Sequence, residues 1–261
     1  MLLTLVVAST AQARSLDPAA VFDHDYGAWN QVLRRHVDGS GRVDYDAVAG
    51  DPNLGVFLDA VSAVSPEHVA AFSRDQKVAF YINAYNALTL RTIVDAMPVT
   101  SIRDIRPDPW EASKWTVGGR RMSLNEIEHK KLRKDLDEPR VHFVLVCAAV
   151  SCPILPARAI LPGDLDEQLE RAARAFFTDP ARNRVDRASG KVYLSRIMDW
   201  YGGDFVGAEA PELEGLDGLD RKDAAVIRYM AKYLGDEDRR FLAAGGFSVV
   251  HNDYDWGLNG R

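Results

Sequence analysis

Residues 141–153 read VHFVLVCAAVSCP, and how this stretch folds decides how the rest is arranged. It is apolar and rich in β-branched valine, which favours a strand from Val141 to about Ala149, with Pro153 closing the turn that follows. A histidine opens the run, and it ends in both cysteines of the chain, Cys147 and Cys152. On a strand, His142, Val144 and Val146 share one face, and Phe143, Leu145 and Cys147 share the other. That pairing keeps His142 and Cys147 about 17 Å apart. Cys147, embedded in apolar sequence, reads as core. Cys152 follows Ser151 at the mouth of a loop, where backbone N–H groups favour a thiolate. Thiols five residues apart also allow a small local disulfide, which requires Cα atoms within about 7 Å.

Working outward, the helix before this stretch is legible from Ser123 and Glu126, a capping box that starts a helix to about Leu136. Its apolar residues are Leu124, Ile127, Leu132 and Leu136, and Glu128 falls near the centre of their face. A carboxylate aimed at a core costs several kcal/mol unless it is paired or protonated. The open choices are a buried Glu bonded to backbone or to Arg133 or Arg91, and an acid/base group. His129 lies at the border of the same face, and its side chain points about 100° from that of Glu128, too far round to pair with it. If helix and strand pack antiparallel across their short loop, Glu128 and His129 lie nearer the cysteine turn than His142 does.

Farther upstream, Ser73 and Gln76 form a second capping box and open a helix from Arg74 to about Met97, stopped by Pro98. It is apolar almost all round, so it belongs in the interior. Asn83 and Asn86 fall on one stripe of it, either bonded to loop backbone or poised to orient an imidazole. Earlier helical patterns run from Asp17 to His36 and on to Val64. Gly118-Gly119 and Ser189-Gly190 are turn signals for hairpins spanning Lys114–Met122 and Arg184–Leu194. Helices follow from Asp164 to Phe177 and from Asp223 to Leu234, and a last strand from Phe247 to Trp256. Gly202–Gly218 reads as a surface excursion. The class is α+β, an antiparallel sheet packed on a central buried helix.

The chain has 261 residues, a hydrophobic fraction of 47% and a formal net charge of −6. Acidity argues against nucleic acid and anionic membrane surfaces as partners. Residues 2–8 form a short apolar run and Ala11-Gln12-Ala13 a small-x-small site, so residues 1–13 read as a signal-like leader and 14–261 as one domain, periplasmic or secreted. No basic residue precedes the run. It is too short to span a bilayer. The C-x4-C spacing is not the usual zinc knuckle, and neither a metal nor a cofactor is expected.

The segments FYINAYNALTLRTI (80–93), SLNEIEHKKLR (123–133), PRVHFVLVCAAVSCPIL (139–155), LDEQLERAARAFF (165–177) and YDWGLN (254–259) occur in the order seen in the DUF547 family, which the chain resembles from about Trp29 to Asn259. The resemblance singles out Asn83, Asn86, Glu128, His129, His142, Cys147, Cys152 and Pro153, and implies no settled activity. Ala148-Ala149 stands where relatives often carry a small residue or glycine, and Leu155-Pro156 where some have Leu-Arg, with Arg158 close by. The expectation is a thiol-dependent hydrolase or acyltransferase acting on a small-molecule or peptide substrate. Cys152 is its nucleophile, His129 its base with His142 in reserve, and Glu128 the orienting carboxylate or acid. Asn83, Asn86 and Arg158 are expected to bind substrate, in a papain- or transglutaminase-like arrangement. Against it stand a non-catalytic ligand- or partner-binding module and a Cys147–Cys152 redox pair.

Overall fold

The structure, a computed structural model, describes residues 22–261; the leader expected at 1–13 and the start of the first expected helix lie outside them. It is mixed α+β. Four helices, α1 (Gly27–His36), α2 (Tyr45–Ala49), α3 (Pro52–Ala63) and α4 (Pro66–Ala71), precede the long α5 (Arg74–Ala96). The Ser73–Gln76 capping box is formed in both directions, so the start of α5 is fixed by its own sequence. Every residue from Val78 to Leu90 is buried, as its all-round apolar pattern requires.

Strands β1 (Trp115–Val117) and β2 (Arg120–Met122) pair antiparallel around Gly118 and Gly119. Both glycines have positive φ, at 57° and 69°, as a tight hairpin turn demands. A Cβ on Gly118 would lie 2.7 Å from Val69 on α4, so the turn also needs glycine to sit this close to the helix. Ser123 and Glu126 exchange their capping hydrogen bonds as the sequence implies. The helix they start is wider than expected: Glu126–Asp135 winds as a π-helix, a rare form that recurs at functional sites.

The expected strand at 141–149 does not form. Pro139–Phe143 makes a 3-10 turn, and the chain then runs irregularly through Ala148, whose φ is 62°. The partners a ladder would supply come from elsewhere. The Asn86 side chain accepts from the Val146 N–H and donates to the Val144 carbonyl, and the Asn259 N–H donates to the Ala148 carbonyl. A short, wholly buried apolar run has no periodicity to separate these cases.

Beyond it lie α6 (Leu165–Thr178), the hairpin β3 (Arg184–Asp186) and β4 (Lys191–Leu194), α7 (Arg196–Tyr201), α8 (Arg221–Ala231), α9 (Asp236–Ala244) and β5 (Ser248–His251). The sheet is not antiparallel throughout: β3 and β4 are, but β5 joins β4 in parallel, Val192 opposite Val249. The intervening α7, α8 and α9 lie in the crossover that a parallel pair needs. Of the strand expected over 247–256, only β5 is extended, and the rest turns back toward the cysteine loop. One apolar cluster surrounds α5. A second joins Phe143, Phe176, Phe177, Phe205 and Tyr229, and Tyr254 packs against both. No helix among the described residues is long and apolar enough to cross a membrane.

Candidate functional site

At the junction of the two clusters is a cavity of about 320 Å³ whose wall includes Glu128, His129, His142, Cys147, Cys152 and Tyr254. The π-helix brings the first two, the 3-10 turn His142, the cysteine loop both sulfurs, and the segment after β5 Tyr254. The His142 imidazole, which a strand would have set on the face away from Cys147, thus shares a cavity with it.

Cys147 and Cys152 are disulfide-bonded, with their Cα atoms 6.3 Å apart. Their exposures reverse the expectation, because Cys147 is half-buried while Cys152 is only 2% exposed. The reason is local. The Cys152 N–H donates to the Ala149 carbonyl, and Arg182 donates twice to the Cys152 carbonyl, at 2.7 and 3.2 Å, so the turn folds inward. The Cys147 N–H points at the Cys152 sulfur at 2.9 Å. The Tyr254 hydroxyl touches both sulfurs, at 3.0 Å from Cys147 and 3.2 Å from Cys152.

The two imidazoles are bound to one ion pair rather than to sulfur. Arg133 donates to Asp204 through Nε at 2.6 Å and Nη2 at 2.9 Å. Asp204 also meets His142 Nε2 at 2.8 Å, and Arg133 Nη1 donates to His129 Nδ1 at 2.8 Å. A guanidinium has no lone pair to offer, so this last contact puts the His129 ring proton on Nε2. Nε2 is the ring nitrogen left for other contacts. Burial raises the Asp204 carboxyl, but hydrogen bonds and charge from His142 and Arg133 outweigh it and hold it well below the usual carboxylate range. Tyr201 completes the assembly, stacked on His142 at 4.4 Å between ring centroids with the Arg133 guanidinium 4.8 Å from its own.

Glu128 is 9% exposed at its side chain and takes none of the expected partners. Arg133 is committed to Asp204, and Arg91 to Asp95 at 2.7 Å. Instead its Oε1 lies 3.9 Å from His129 Nδ1, nearer than the 100° separation on a regular helix suggested. Burial first, and the Glu128 charge second, raise the Tyr85 and Tyr201 hydroxyls.

Residues 69–177 match the family model "Protein of unknown function, DUF547". The matched segment runs from α4 into α6, and contains Glu128, His129, His142, Cys147 and Cys152. Tyr201, Asp204 and Tyr254 lie beyond it. No curated protein and no solved structure matches the chain.

Three residues expected to bind substrate lie off this cavity. Asn83 holds the Ile160 N–H and carbonyl, and Asn86 holds Val144 and Val146, so both are spent on backbone. Arg158 lines a separate, mainly apolar cavity and lies 3.7 Å from Asp164. Asn86→Ala strands one buried N–H and one buried carbonyl, and is expected to lower stability by roughly 2–4 kcal/mol, read as a lower urea midpoint at unchanged slope. Sequence reasoning missed Tyr201, Asp204 and Tyr254. Asp204 sits in the Gly202–Phe205 turn, inside the stretch whose sequence reads as a surface excursion, where nothing local marks it. Among the described residues no cluster of His, Cys, Asp and Glu is placed to hold a metal ion.

Proposed function

We propose that the protein carries out thiol–disulfide exchange at the Cys147–Cys152 pair, on dithiol or disulfide substrates reaching the cavity. One observation carries this reading: the two sulfurs are joined on the cavity wall, one half-exposed and one buried, and both touch the Tyr254 hydroxyl. A substrate thiolate attacks the Cys147 sulfur, forming a mixed disulfide as the bond to Cys152 breaks. The departing Cys152 thiolate is received by the Cys147 N–H and the Tyr254 hydroxyl. The second substrate thiolate attacks its partner sulfur and releases Cys147. The substrate dithiol has then lost two electrons and two protons, and both cysteines are reduced. An oxidising compartment, periplasmic or secreted, suits this chemistry and the leader-like first residues.

The test is turnover of a dithiol peptide with glutathione disulfide as terminal oxidant. Wild type is expected to oxidise many equivalents, and the Cys147→Ser/Cys152→Ser double variant none above background. A wild-type disulfide that stays intact in excess dithiol, read by mass, overturns the proposal.

A second reading, thiol-dependent acyl transfer or hydrolysis, is favoured by the His142–Asp204 contact. Asp204 on Nε2 leaves Nδ1 as the ring's other nitrogen, the division of labour of papain- and transglutaminase-like sites. No imidazole hydrogen-bonds to either sulfur among the described residues, and Cys152 is in the disulfide, so this activity requires prior reduction. Reduced protein that forms an acyl-cysteine with an active ester, while failing to turn over dithiols, selects it.

A further inference from the structure

The cavity's charges are one-sided. Asp108 and Glu128 line it, and no lysine or arginine does. The nearby guanidiniums are engaged elsewhere: Arg133 with Asp204, and Arg103 over the Trp256 ring at 5.1 Å from its centroid. Of the two histidines on the wall, His142 faces Asp204 and His129 accepts from Arg133. Glu128 is independent evidence of a missing cationic partner. Its side chain is more than nine-tenths buried, it lines the cavity, and the groups placed against it are the neutral Tyr85 and Tyr201 hydroxyls, with no lysine or arginine paired to it among the described residues. A buried carboxylate left so is costly, and a cation supplied by a ligand removes that cost.

The remaining wall is aromatic. Trp200, Tyr254 and Trp256 pack together, with centroids 4.6 to 5.8 Å apart, and Trp110 meets Trp256 edge to face at 6.0 Å. Trp200 is 44% exposed, far above the ordinary burial of a large aromatic ring. Trp256 already carries a guanidinium on its ring, which shows the kind of group these faces accept.

We infer that the cavity selects an organic cation, the ammonium or guanidinium of a peptide side chain, seated against Glu128 with its methylene stem across Trp200 and Trp256. This rests on the exchange reading and names its substrate class: cysteine-containing peptides with a lysine or arginine near the reacting sulfur. Charge selects the head group and the rings hold the stem, so a small free amine binds more weakly than a peptide lysine.

The test uses oxidised wild-type protein and capped, cysteine-free peptides that differ only in one residue: lysine, arginine, norleucine or glutamate. Binding is followed by tryptophan fluorescence and titration calorimetry. Lysine and arginine peptides are expected to bind about tenfold more tightly than the norleucine peptide, with methylamine weaker than either. Raised salt and Glu128→Gln should both erase the preference, and Trp200→Ala, at a ring 44% exposed, should reduce it. Equal affinity for lysine and norleucine peptides, or a preference that survives Glu128→Gln, overturns the inference. Methylamine binding as tightly as the lysine peptide overturns the side-chain assignment. These peptides carry no sulfur, so loss of the preference beside intact dithiol turnover removes this inference alone. The converse result removes only the exchange reading.

Discussion

Cys152→Ser is expected to turn the protein into a trap. With the resolving sulfur gone, a Cys147 thiolate still attacks a substrate disulfide, but nothing inside the protein attacks the mixed disulfide that results. Incubation with a symmetric disulfide of two identical single-cysteine peptides should leave one peptide as a stable adduct on Cys147 and release the other as its thiol, and excess dithiol should free the adduct. Cys147→Ser is expected to react at least about a hundredfold more slowly, because the remaining sulfur is 2% exposed behind the turn that Arg182 pins. The rate is the informative part. A structural disulfide gives a Cys147 adduct no faster than an unactivated cysteine of similar exposure, and an acyl-transfer site built on Cys152 gives the opposite asymmetry with an electrophile. Tyr254→Phe, which leaves the ring packing and removes the hydroxyl from both sulfurs, should slow adduct formation in the Cys152→Ser background without changing its identity.

This site was legible in the sequence to the extent that its parts announce themselves locally. Both capping boxes and the Gly118-Gly119 turn are decided within a few residues, and each formed as read. Glu128 stood out as a carboxylate on an apolar face, which needs only helical periodicity. The cysteine stretch failed for a physical reason. Strand and irregular buried chain bury the same valines, and what separates them is the source of hydrogen bonds for the backbone. Here that source is the side chain of Asn86, 60 residues earlier in sequence, and a segment near the C-terminus. A strand there would separate His142 from the cavity it lines. The spacing of the cysteines allows the disulfide but not its exposures, since the inward fold of Cys152 depends on Arg182. Asp204 was invisible for the same kind of reason. It gains its role only when the turn at 202–205 meets the 3-10 turn at 139–143 and the π-helix.

Asp204→Ala should be the most damaging change to the frame that holds both imidazoles. The carboxylate accepts from Arg133 twice and faces His142, so truncation leaves a half-buried guanidinium without its acceptor and frees His142 to turn. Removing one partner of a fully buried ion pair costs about 3–5 kcal/mol. Asp204 is 26% exposed at its side chain, so solvent screens part of this and a loss of about 2–3 kcal/mol at pH 7 is expected. The pH dependence separates charge from packing. The folded-state value of Asp204 is held below that of an unfolded aspartate, about 3.9. Its contribution is therefore fully present above that unfolded value and is lost as pH falls through the lower folded one. Urea denaturation of wild type and Asp204→Ala between pH 7 and pH 2.5 should show two stability curves that are parallel above about pH 5 and converge below about pH 4. A gap of constant size down to the lowest pH would mean that side-chain volume, not the carboxylate's charge, holds the histidines in place.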